Sequence, residues 1–446
     1  MFQKILIANR GDIAIRILRV CKELGIKTVA VHSVVDENLM HVKLADESVC
    51  IGPNNSAGSY LNMSSILSAA ELTGADAVHP GVGFLSENAS FAKMVEAHGL
   101  TFIGPSPEHL AMMGDKIVAK HVMEKFGVPT VNGSSNAISS LDEALNISYQ
   151  IGYPVILKAS SGGGGKGMKV SWSEDDLKSN FNLAKSEAKA NFGDERVYLE
   201  KYLTNPRHIE IQVIADKFGN VVSLGERECS IQRNNQKLIE EAPSIAISPS
   251  ERNEISGIVT NALKQIGYTG VATVEFLYDN GSFYFMEVNP RLQVEHAVTE
   301  EITGIDIVRE QIRIAYGEKL SIKQDDVKSL GHAIEFRINA ENSKTFIPSP
   351  GKIEELYFPG GNGIRIDSHV YRGYKVPPYY DSLIAKVIVH ASDRNSCLRK
   401  ATQALNELVI DGIDTTTDLH KALVTNSDVI TGRFDIHWLE KYIKTL

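Results

Sequence analysis

Residues 273–296 read TVEFLYDNGSFYFMEVNPRLQVEH and contain two overlapping patterns. In the first half, apolar and aromatic runs flank Asp279-Asn280-Gly281, which is typical of a β-hairpin. From residue 287 onward every second residue is polar. Alternate side chains of an extended chain share a face, so five hydrogen-bonding groups are predicted to line one face over roughly 26 Å. They are Glu287, Asn289, Arg291, Gln293 and Glu295.

Two carboxylates and an amide in this stretch suit Mg²⁺, which prefers hard oxygen ligands. Glu287 and Asn289 are two of these groups, and Glu275 joins them only if the turn has the right length. A two-residue Asn280-Gly281 turn pairs positions of opposite parity and would turn the two carboxylates to opposite faces. A three-residue loop, Asp279 to Gly281, would place both on one face. The pattern therefore favours the three-residue loop and a magnesium site.

The remaining polar groups suggest an anion site and a base. The guanidinium of Arg291 can bind a carboxylate, a phosphate or bicarbonate. Glu295 is not among the predicted metal ligands and can therefore accept a proton. A solvated outer strand face would also alternate, although Pro290 cannot donate to a central ladder.

The 446 residues indicate two to four domains. A hydrophobic content of 43% and a charged content of 23% are ordinary for a globular protein. The net charge of −9 argues against broad nucleic-acid binding. Four separated cysteines include no C-x-x-C pair and suggest neither a zinc site nor a disulfide framework. No segment has the length of a signal or membrane helix, so a cytoplasmic enzyme that does not contact membranes is expected.

The first third of the chain has the pattern of a doubly wound α/β domain. Strand residues 4–8 precede a helix with apolar positions at helical spacing, and a second strand follows at 28–33. A similar passage from strand to loop ends at Val82-Gly83. The first turn lacks the G-x-G-x-x-G fingerprint, so no dinucleotide site is indicated. We assign residues 1–114 to this Rossmann-like domain.

A glycine loop at 162–167 separates two strands, with Lys158 just before it. The spacing fits neither a dinucleotide fingerprint nor a Walker A loop, because no helix follows. Two strands joined by glycines predict a lid that folds over phosphates, with a plain flexible loop as the alternative. The lid, about residues 131–203, belongs to a second domain at 115–330.

The last third, residues 331–446, is predicted to be a small α+β domain. Its first strand alternates, with Ile334, Phe336 and Ile338 pointing inward. Glu335 and Arg337 then point outward, and by itself the pattern makes Arg337 a surface residue.

Seven motifs together resemble the biotin carboxylase family, and they span essentially the whole chain. The resemblance implies the ATP-grasp fold and the carboxylation of carrier-bound biotin by ATP and bicarbonate. It is closest to the free-standing subunit of bacterial acetyl-CoA carboxylase. The motifs are ILIANRGDIAIRILR, HPGVGFLSEN, GGGGKGM, EKYLTNPRHIEIQV, ECSIQRNNQKLIEEAP, MEVNPRLQVEH and VPPYYDSLIAK.

The resemblance also implies a role for individual residues. ATP phosphates are expected at Lys116, Lys158, Gly164 and Gly165. Adenine is expected at Glu200, Lys201, Tyr202 and Leu203, and the ribose region at His208, Gln232 and Asn235. Magnesium or manganese, as two ions, is expected on Glu275, Glu287 and Asn289, of which the two glutamates also belong to the ATP site. Bicarbonate is expected at Lys237, Arg291, Gln293, the backbone of Val294, and Glu295 as the base. Biotin is expected at Arg337, Val82 and Gly83.

The implied partners are a biotin carboxyl carrier protein, carboxyltransferase subunits and a second copy of this chain. The chain has no C-terminal Met-Lys-Met for biotin attachment, so biotin must arrive on another protein. Asn234-Asn235, Val82 and Asn362 depart from residues common in the family, in regions that resemble the ATP site, the biotin site and the dimer interface. The alternatives are another biotin-dependent carboxylase, a different ATP-grasp ligase, or a catalytically silent nucleotide-binding protein.

Overall fold

The computed structural model describes residues 1–161 and 167–445. The predicted phosphate contacts Gly164 and Gly165 lie outside the described residues. The first part of the chain is a five-stranded, all-parallel sheet in the order β3-β2-β1-β4-β5. Its strands are β1 (Lys4–Ile7), β2 (Lys27–Ser33), β3 (Glu47–Gly52), β4 (Ala77–His79) and β5 (Thr101–Phe102). Its helices are α1 (Gly11–Glu23), α2 (Met40–Leu44), α3 (Met63–Thr73), α4 (Ala89–Ala97) and α5 (Pro107–Gly114).

Helices cover both faces of this sheet. Ile5 and Ile7 of β1 pack in one core with Ile17 of α1, while Leu6 packs on the other side with Ile66 of α3 and Phe91 of α4. Successive strand residues therefore enter opposite cores. The predicted doubly wound α/β arrangement is confirmed.

A small antiparallel sheet in the order β7-β6-β8 follows. It consists of β6 (Val155–Ala159), β7 (Lys169–Ser171) and β8 (Val197–Lys201), with α6 (Lys116–Lys125), α7 (Leu141–Ile151) and α8 (Glu174–Phe192) preceding or joining the strands. Helices α7 and α8 pack on this sheet through their own core, which includes Leu177 and Phe181. This is the segment in which a lid is predicted.

The rest of the chain is built on one eight-stranded sheet in the order β13-β12-β9-β10-β11-β14-β19-β17. Its strands are β9 (Arg207–Ala215), β10 (Val221–Arg233), β11 (Gln236–Ala242), β12 (Gly270–Asp279), β13 (Ser282–Asn289), β14 (His332–Asn339), β17 (Ile364–Ser368) and β19 (Leu383–Ala391). The short strands are β15 (Gly351–Lys352), β16 (Glu355–Tyr357), β18 (Lys375–Val376) and β20 (Val409–Asp411). The helices are α9 (Pro249–Ile266), α10 (His296–Thr303), α11 (Ile307–Tyr316), α12 (Arg394–Glu407), α13 (Thr417–Val424), α14 (Ser427–Thr431) and α15 (Trp438–Ile443).

The predicted division after residue 330 does not interrupt this sheet. Strand β11 pairs with β14 in an antiparallel ladder, with Glu240 opposite Glu335 and Ile239 opposite Phe336. The C-terminal part has its own core around Phe336 and α12, and it is also joined to the preceding part by continuous backbone hydrogen bonds.

The β12–β13 hairpin differs from prediction at its turn. Asp279 pairs with Ser282, which leaves a two-residue Asn280-Gly281 turn in which both residues have positive φ, 48° and 79°. Such a turn matches the twist of the strands. The predicted three-residue loop is therefore wrong. The ladder nevertheless shifts by one residue between Glu275 and Phe276, and Glu275 lies directly opposite Glu287. This β-bulge restores the parity that the turn removes.

The extended segment predicted through residue 295 is also wrong. Strand β13 ends at Asn289, and residues 290–295 run irregularly to the start of α10 at His296. Pro290 has no backbone N–H to continue the ladder, which accounts for the end of the strand.

Candidate functional site

A cavity of about 310 Å³ opens where the two hairpins of the central sheet, segment 290–295 and β14 meet. Fourteen of the sequence-predicted residues line it. They are Val82, Lys116, His208, Gln232, Asn235, Lys237, Glu275, Glu287, Asn289, Arg291, Gln293, Val294, Glu295 and Arg337. The structure therefore gathers most of the predicted set around one space.

The oxygen ligands predicted for a metal lie together at one side of the cavity. Glu275 and Glu287 are direct partners across the hairpin, and the Asn289 amide donates to Glu275 at 2.8 Å. Lys116 contacts Glu287 at 2.7 Å, and His208 Nε2 lies 3.0 Å from Glu275. Two facing carboxylates need positive charge between them. Their hard oxygens are of the kind that Mg²⁺ or Mn²⁺ prefers, and the assignment of these three residues to a metal stays a prediction.

Two other groups of acidic and soft ligands occur nearby, and each of them lies against the ammonium group of Lys237. His208, Glu210 and Glu275 lie close together, as do Glu210, Cys229 and Glu295. The ammonium group of Lys237 already contacts Glu210, Glu275 and Glu295 at 2.6, 3.0 and 2.6 Å. A lysine in that position supplies the positive charge that a metal would otherwise provide.

Lys237 is thus the central cation of the site. Burial lowers its pKa, but the Cys229 thiol and the carboxylates of Glu210, Glu275 and Glu295 outweigh burial and raise the pKa well above the usual value. Burial likewise raises the pKa of Glu295, but Lys237 and then Arg337 outweigh it, and that pKa lies well below the usual range. Glu295 is therefore an anion at neutral pH and can receive a proton.

Arg291 is held in place from three directions. Its Nε donates to Glu87 at 2.6 Å, one Nη to Gln293 at 3.0 Å and the other Nη to Asn289 at 3.1 Å. Glu87 belongs to the N-terminal domain, so the first domain helps to orient the guanidinium. A planar fork fixed in this way suits a small oxyanion.

Arg337 is not a surface residue, contrary to the prediction from its strand alone. Its Nε donates to Glu240 at 2.5 Å and one Nη to Glu295 at 2.9 Å, and both carboxylates are buried. Glu335, also predicted to point outward, has no exposed surface. Alternation in β14 correctly gives the faces of the strand, but α10 covers the face that was assigned to solvent.

A second cavity, of about 470 Å³, adjoins the first one at Val82. Val82, Val294 and Arg337 line both cavities, whereas Gly83 lines only the second. The Asn9 amide donates to the carbonyls of Pro80 and Val82 at 2.7 Å each and fixes this loop.

The residues predicted for adenine lie on the lid side, outside the cavity wall. Glu200 is buried and accepts from Lys120 and Lys158, each at 2.7 Å. Lys201 Nζ donates to the carbonyls of Gly152 and Tyr153, and Tyr202 meets His437 at 2.9 Å. Leu203 follows β8 and is half-buried. Lys158 therefore contacts a side chain that was itself predicted to bind nucleotide.

Within residues 1–161 and 167–445, sequence reasoning missed four residues that form ion pairs with the predicted set. Glu87, Lys120, Glu210 and Glu240 each form an ion pair with a predicted residue. Alternation in β9 had placed Glu210 on the same face as His208, and that signal could have identified it. The other three pair across distant segments and leave no local pattern.

Three family models match the chain. They are the biotin carboxylase N-terminal domain at residues 1–110, the carbamoyl-phosphate synthase L chain ATP-binding domain at 115–323, and the biotin carboxylase C-terminal domain at 335–441. A biotin carboxylase of Pseudomonas aeruginosa is 56% identical over 442 residues, covering 99% of this chain and 98% of that protein. The chain belongs to the biotin carboxylase family. It is an ATP-dependent ligase, as predicted.

Solved biotin carboxylases share the whole architecture. A biotin carboxylase complex with a β,γ-ATP ligand from Campylobacter jejuni has a TM-score of 0.97 at 49% identity, covering 99% of both chains. The dimer of the biotin carboxylase domain of 2-oxoglutarate carboxylase from Hydrogenobacter thermophilus, with MgADP, ADP and bicarbonate, has a TM-score of 0.96 at 48% identity, covering 99% of this chain and 98% of that one. The predicted ATP-grasp fold, with α/β and α+β parts, is confirmed. Every helix in the described part of this biotin carboxylase is too short or too polar to cross a bilayer.

Proposed function

We propose that this chain uses ATP and bicarbonate to carboxylate biotin carried by a separate carrier protein, as the first half-reaction of acetyl-CoA carboxylase. The position of Glu295 is the observation that supports this most. Its two oxygens meet Lys237 at 2.6 Å and Arg337 at 2.9 Å. One carboxylate thus connects a cation at the proposed bicarbonate site with a cation at the proposed biotin site.

ATP would lie between the lid and the central sheet. Lys116, Lys158 and the glycine pair at 164–165 are proposed for the phosphates, residues 200–203 for adenine, and His208, Gln232 and Asn235 for the ribose region. Glu275, Glu287 and Asn289 would hold two Mg²⁺ or Mn²⁺ ions. When bound, the metal neutralises the charge of the phosphate oxygens. Lys116 forms an ion pair with Glu287 at 2.7 Å, and Lys158 forms one with Glu200 at 2.7 Å. Both ammonium groups could exchange these carboxylates for phosphate oxygens.

Bicarbonate would bind against Lys237, Arg291, Gln293 and the backbone of Val294. Glu295 takes its proton as the bicarbonate oxygen attacks the γ-phosphate, which gives carboxyphosphate and ADP. Lys237 holds the pKa of Glu295 low against the effect of burial, which weakens Glu295 as a base. Bicarbonate that engages Lys237 shares this cation with Glu295, and Glu295 becomes more basic when its substrate is present.

Breakdown of carboxyphosphate yields CO₂ and a phosphate that can deprotonate biotin. Arg337 would then stabilise the negative ureido oxygen, because a fixed guanidinium costs no reorganisation when charge develops. Val82 and Gly83, beside Arg337, would contact biotin. The side chain of Val82 is aliphatic, so it cannot offer biotin an aromatic contact at this position.

The final acceptor of the carboxyl group is proposed to be acetyl-CoA. We favour acetyl-CoA carboxylase, with a biotin carboxyl carrier protein and carboxyltransferase subunits as partners, a homodimer as the working form and the cytoplasm as the location. The similarity to the biotin carboxylase domain of a 2-oxoglutarate carboxylase supports a second candidate, service to a different biotin-dependent carboxylase.

The test has two stages. Phosphate release from ATP is measured with and without bicarbonate and free biotin; release that depends on bicarbonate and yields carboxybiotin is expected. Bicarbonate-independent hydrolysis without carboxybiotin would refute the proposal. Mixing the chain with carrier and carboxyltransferase subunits of acetyl-CoA carboxylase should then produce malonyl-CoA. Carboxylated carrier without malonyl-CoA would favour the second candidate.

A further inference from the structure

Two buried glutamates face each other behind Arg337. Glu240 on β11 and Glu335 on β14 are direct partners in the antiparallel ladder, and neither has exposed surface. Side chains at such positions have Cβ atoms about 4.5–5.5 Å apart, so their carboxyl groups can reach each other. Among the residues that the structure describes, neither oxygen of Glu335 has a hydrogen-bond partner, and one oxygen of Glu240 also lacks one.

The nearest cations are already engaged. Arg337 donates its Nε to the other oxygen of Glu240 at 2.5 Å and one Nη to Glu295. The ammonium of Lys386 donates to the Val294 carbonyl at 2.7 Å and lies 3.5 Å from Asp12 and 3.7 Å from Asp367. The charged or titratable groups that act on the pair are Cys229 from β10, Lys237 from β11, Arg337 from β14, Lys386 from β19, and Glu295 just before α10.

We infer that Glu240 and Glu335 hold one proton between them, and that Glu335, as the neutral donor, positions Glu240 against Arg337. Two adjacent buried carboxylates cannot both be ionised at low cost. A single proton would satisfy an oxygen of each residue and leave Glu240 as the anion that Arg337 requires.

The electrostatics of the pair agree with this arrangement. Burial raises the pKa of Glu335 well above its usual value, although Lys386 opposes the shift. Burial also raises the pKa of Glu240, to about 7, although Arg337 opposes it. Because burial raises both pKa values, the pair retains one proton at neutral pH.

Loss of that proton changes what Arg337 contacts. At alkaline pH Glu335 becomes a second anion beside Arg337 and competes with Glu295 and with the substrate for the guanidinium. This step rests on the proposed function, in which Arg337 serves biotin rather than ATP cleavage. Carboxybiotin formed per phosphate released should therefore fall as pH rises, while bicarbonate-dependent phosphate release continues.

Glu335→Gln tests the inference, because glutamine is a neutral donor of the same shape at every pH. The ratio of carboxybiotin to phosphate is measured from about pH 6 to about pH 10, where the shared proton would be lost. In this variant the ratio should stay within about threefold of wild type at neutral pH, and its alkaline decline should move up by about one pH unit or more. Glu355→Gln, an exposed change on β16, should follow the wild type.

A second readout does not require turnover. The infrared absorption of a protonated carboxyl group should be present in the wild type at neutral pH, reduced in Glu335→Gln and unchanged in Glu355→Gln. An unchanged alkaline decline, or the same infrared signal in Glu335→Gln, would overturn the inference. A loss above tenfold at neutral pH with folding intact would also overturn it, because a charged Glu335 would then be needed. A wild type without bicarbonate-dependent phosphate release would instead refute the proposed function, and the infrared result would still decide the shared proton.

Discussion

We expect replacement of Arg337 to separate the carboxylation of biotin from the cleavage of ATP. The guanidinium lies 2.5 Å from Glu240 and 2.9 Å from Glu295, and both carboxylates are buried. Arg337→Ala would leave buried Glu240 without its ion-pair partner and Glu295 with Lys237 alone, at a cost of roughly 3–5 kcal/mol in the free energy of unfolding. Arg337→Lys keeps the positive charge but loses the planar fork, and it is therefore the variant whose kinetics can be interpreted.

The expected magnitude follows from the contacts that lysine cannot make. An ammonium group that stays on Glu240 or Glu295 cannot also reach a biotin oxygen, so the transition state loses one fixed donor. Such donors contribute about 2.7–4 kcal/mol, or roughly 100- to 1000-fold in kcat. We expect this loss in carboxybiotin formation, together with less than about a tenfold loss in bicarbonate-dependent ATP cleavage, for which no direct contact of Arg337 is proposed. Arg337→Ala should show the same separation with a lower melting temperature.

The assay follows phosphate release and the incorporation of labelled bicarbonate into biotin in the same reaction. Glu295→Gln is the contrasting variant, since loss of the base should suppress both products together. Wild-type melting behaviour of Arg337→Lys is the control for folding. Equal proportional loss of both products in that variant would refute the assignment of Arg337 to the biotin step and leave it a structural residue.

Three further predictions concern the hairpin and the acid stability of the sheet. Glu287→Gln should lose activity mainly in kcat, by roughly 100-fold at saturating magnesium, since one of two facing carboxylates loses its charge; unchanged kcat would remove it from the metal site. Asn280→Ala should lower the free energy of unfolding by about 1 kcal/mol because φ is 48° there, whereas Asn280→Gly should change it by only a few tenths; denaturant titration compares the two. Burial raises the pKa of Glu241, but His332 and then Arg394 outweigh it and lower the pKa to about 2. That stabilisation, about 3 kcal/mol, is complete above the ordinary carboxyl pKa and is lost as pH falls toward 2, so Glu241→Gln should show a shallower loss of melting temperature on acidification; equal slopes would contradict this.

The two glutamates proposed as metal ligands, Glu275 and Glu287, show how much of the site could be predicted from the sequence. The requirement that Glu275 and Glu287 share a face was recognised correctly, and the turn was identified as the deciding feature. The turn length was wrong, because a type I′ Asn-Gly turn and a bulge together give the same parity as a longer loop. A bulge adds a residue of no special type, here Met286, and therefore leaves no local signal.

The alternation of polar and apolar residues also could not predict which side chains are buried. Polar residues at every second position gave the correct faces of β14. Which face meets water depends on α10, a helix that ends at Thr303, well before β14 begins at His332. No role was predicted for Glu240, because its ion-pair partner, Arg337, lies on the neighbouring strand and far away in the sequence. Residues that act through distant partners were found only where the family resemblance supplied them.

The uninterrupted ladder from β11 to β14 joins the proposed bicarbonate site and the proposed biotin site in one sheet. Lys237 lies on one side of that joint and Arg337 on the other, and backbone hydrogen bonds fix the spacing between their strands. A truncated chain that stopped near residue 330 would expose β11 as a bare edge, which invites pairing with other molecules. Such a fragment would retain most of the proposed ATP site and yet would be prone to aggregate, so the C-terminal part completes the catalytic sheet rather than forming a module appended to it.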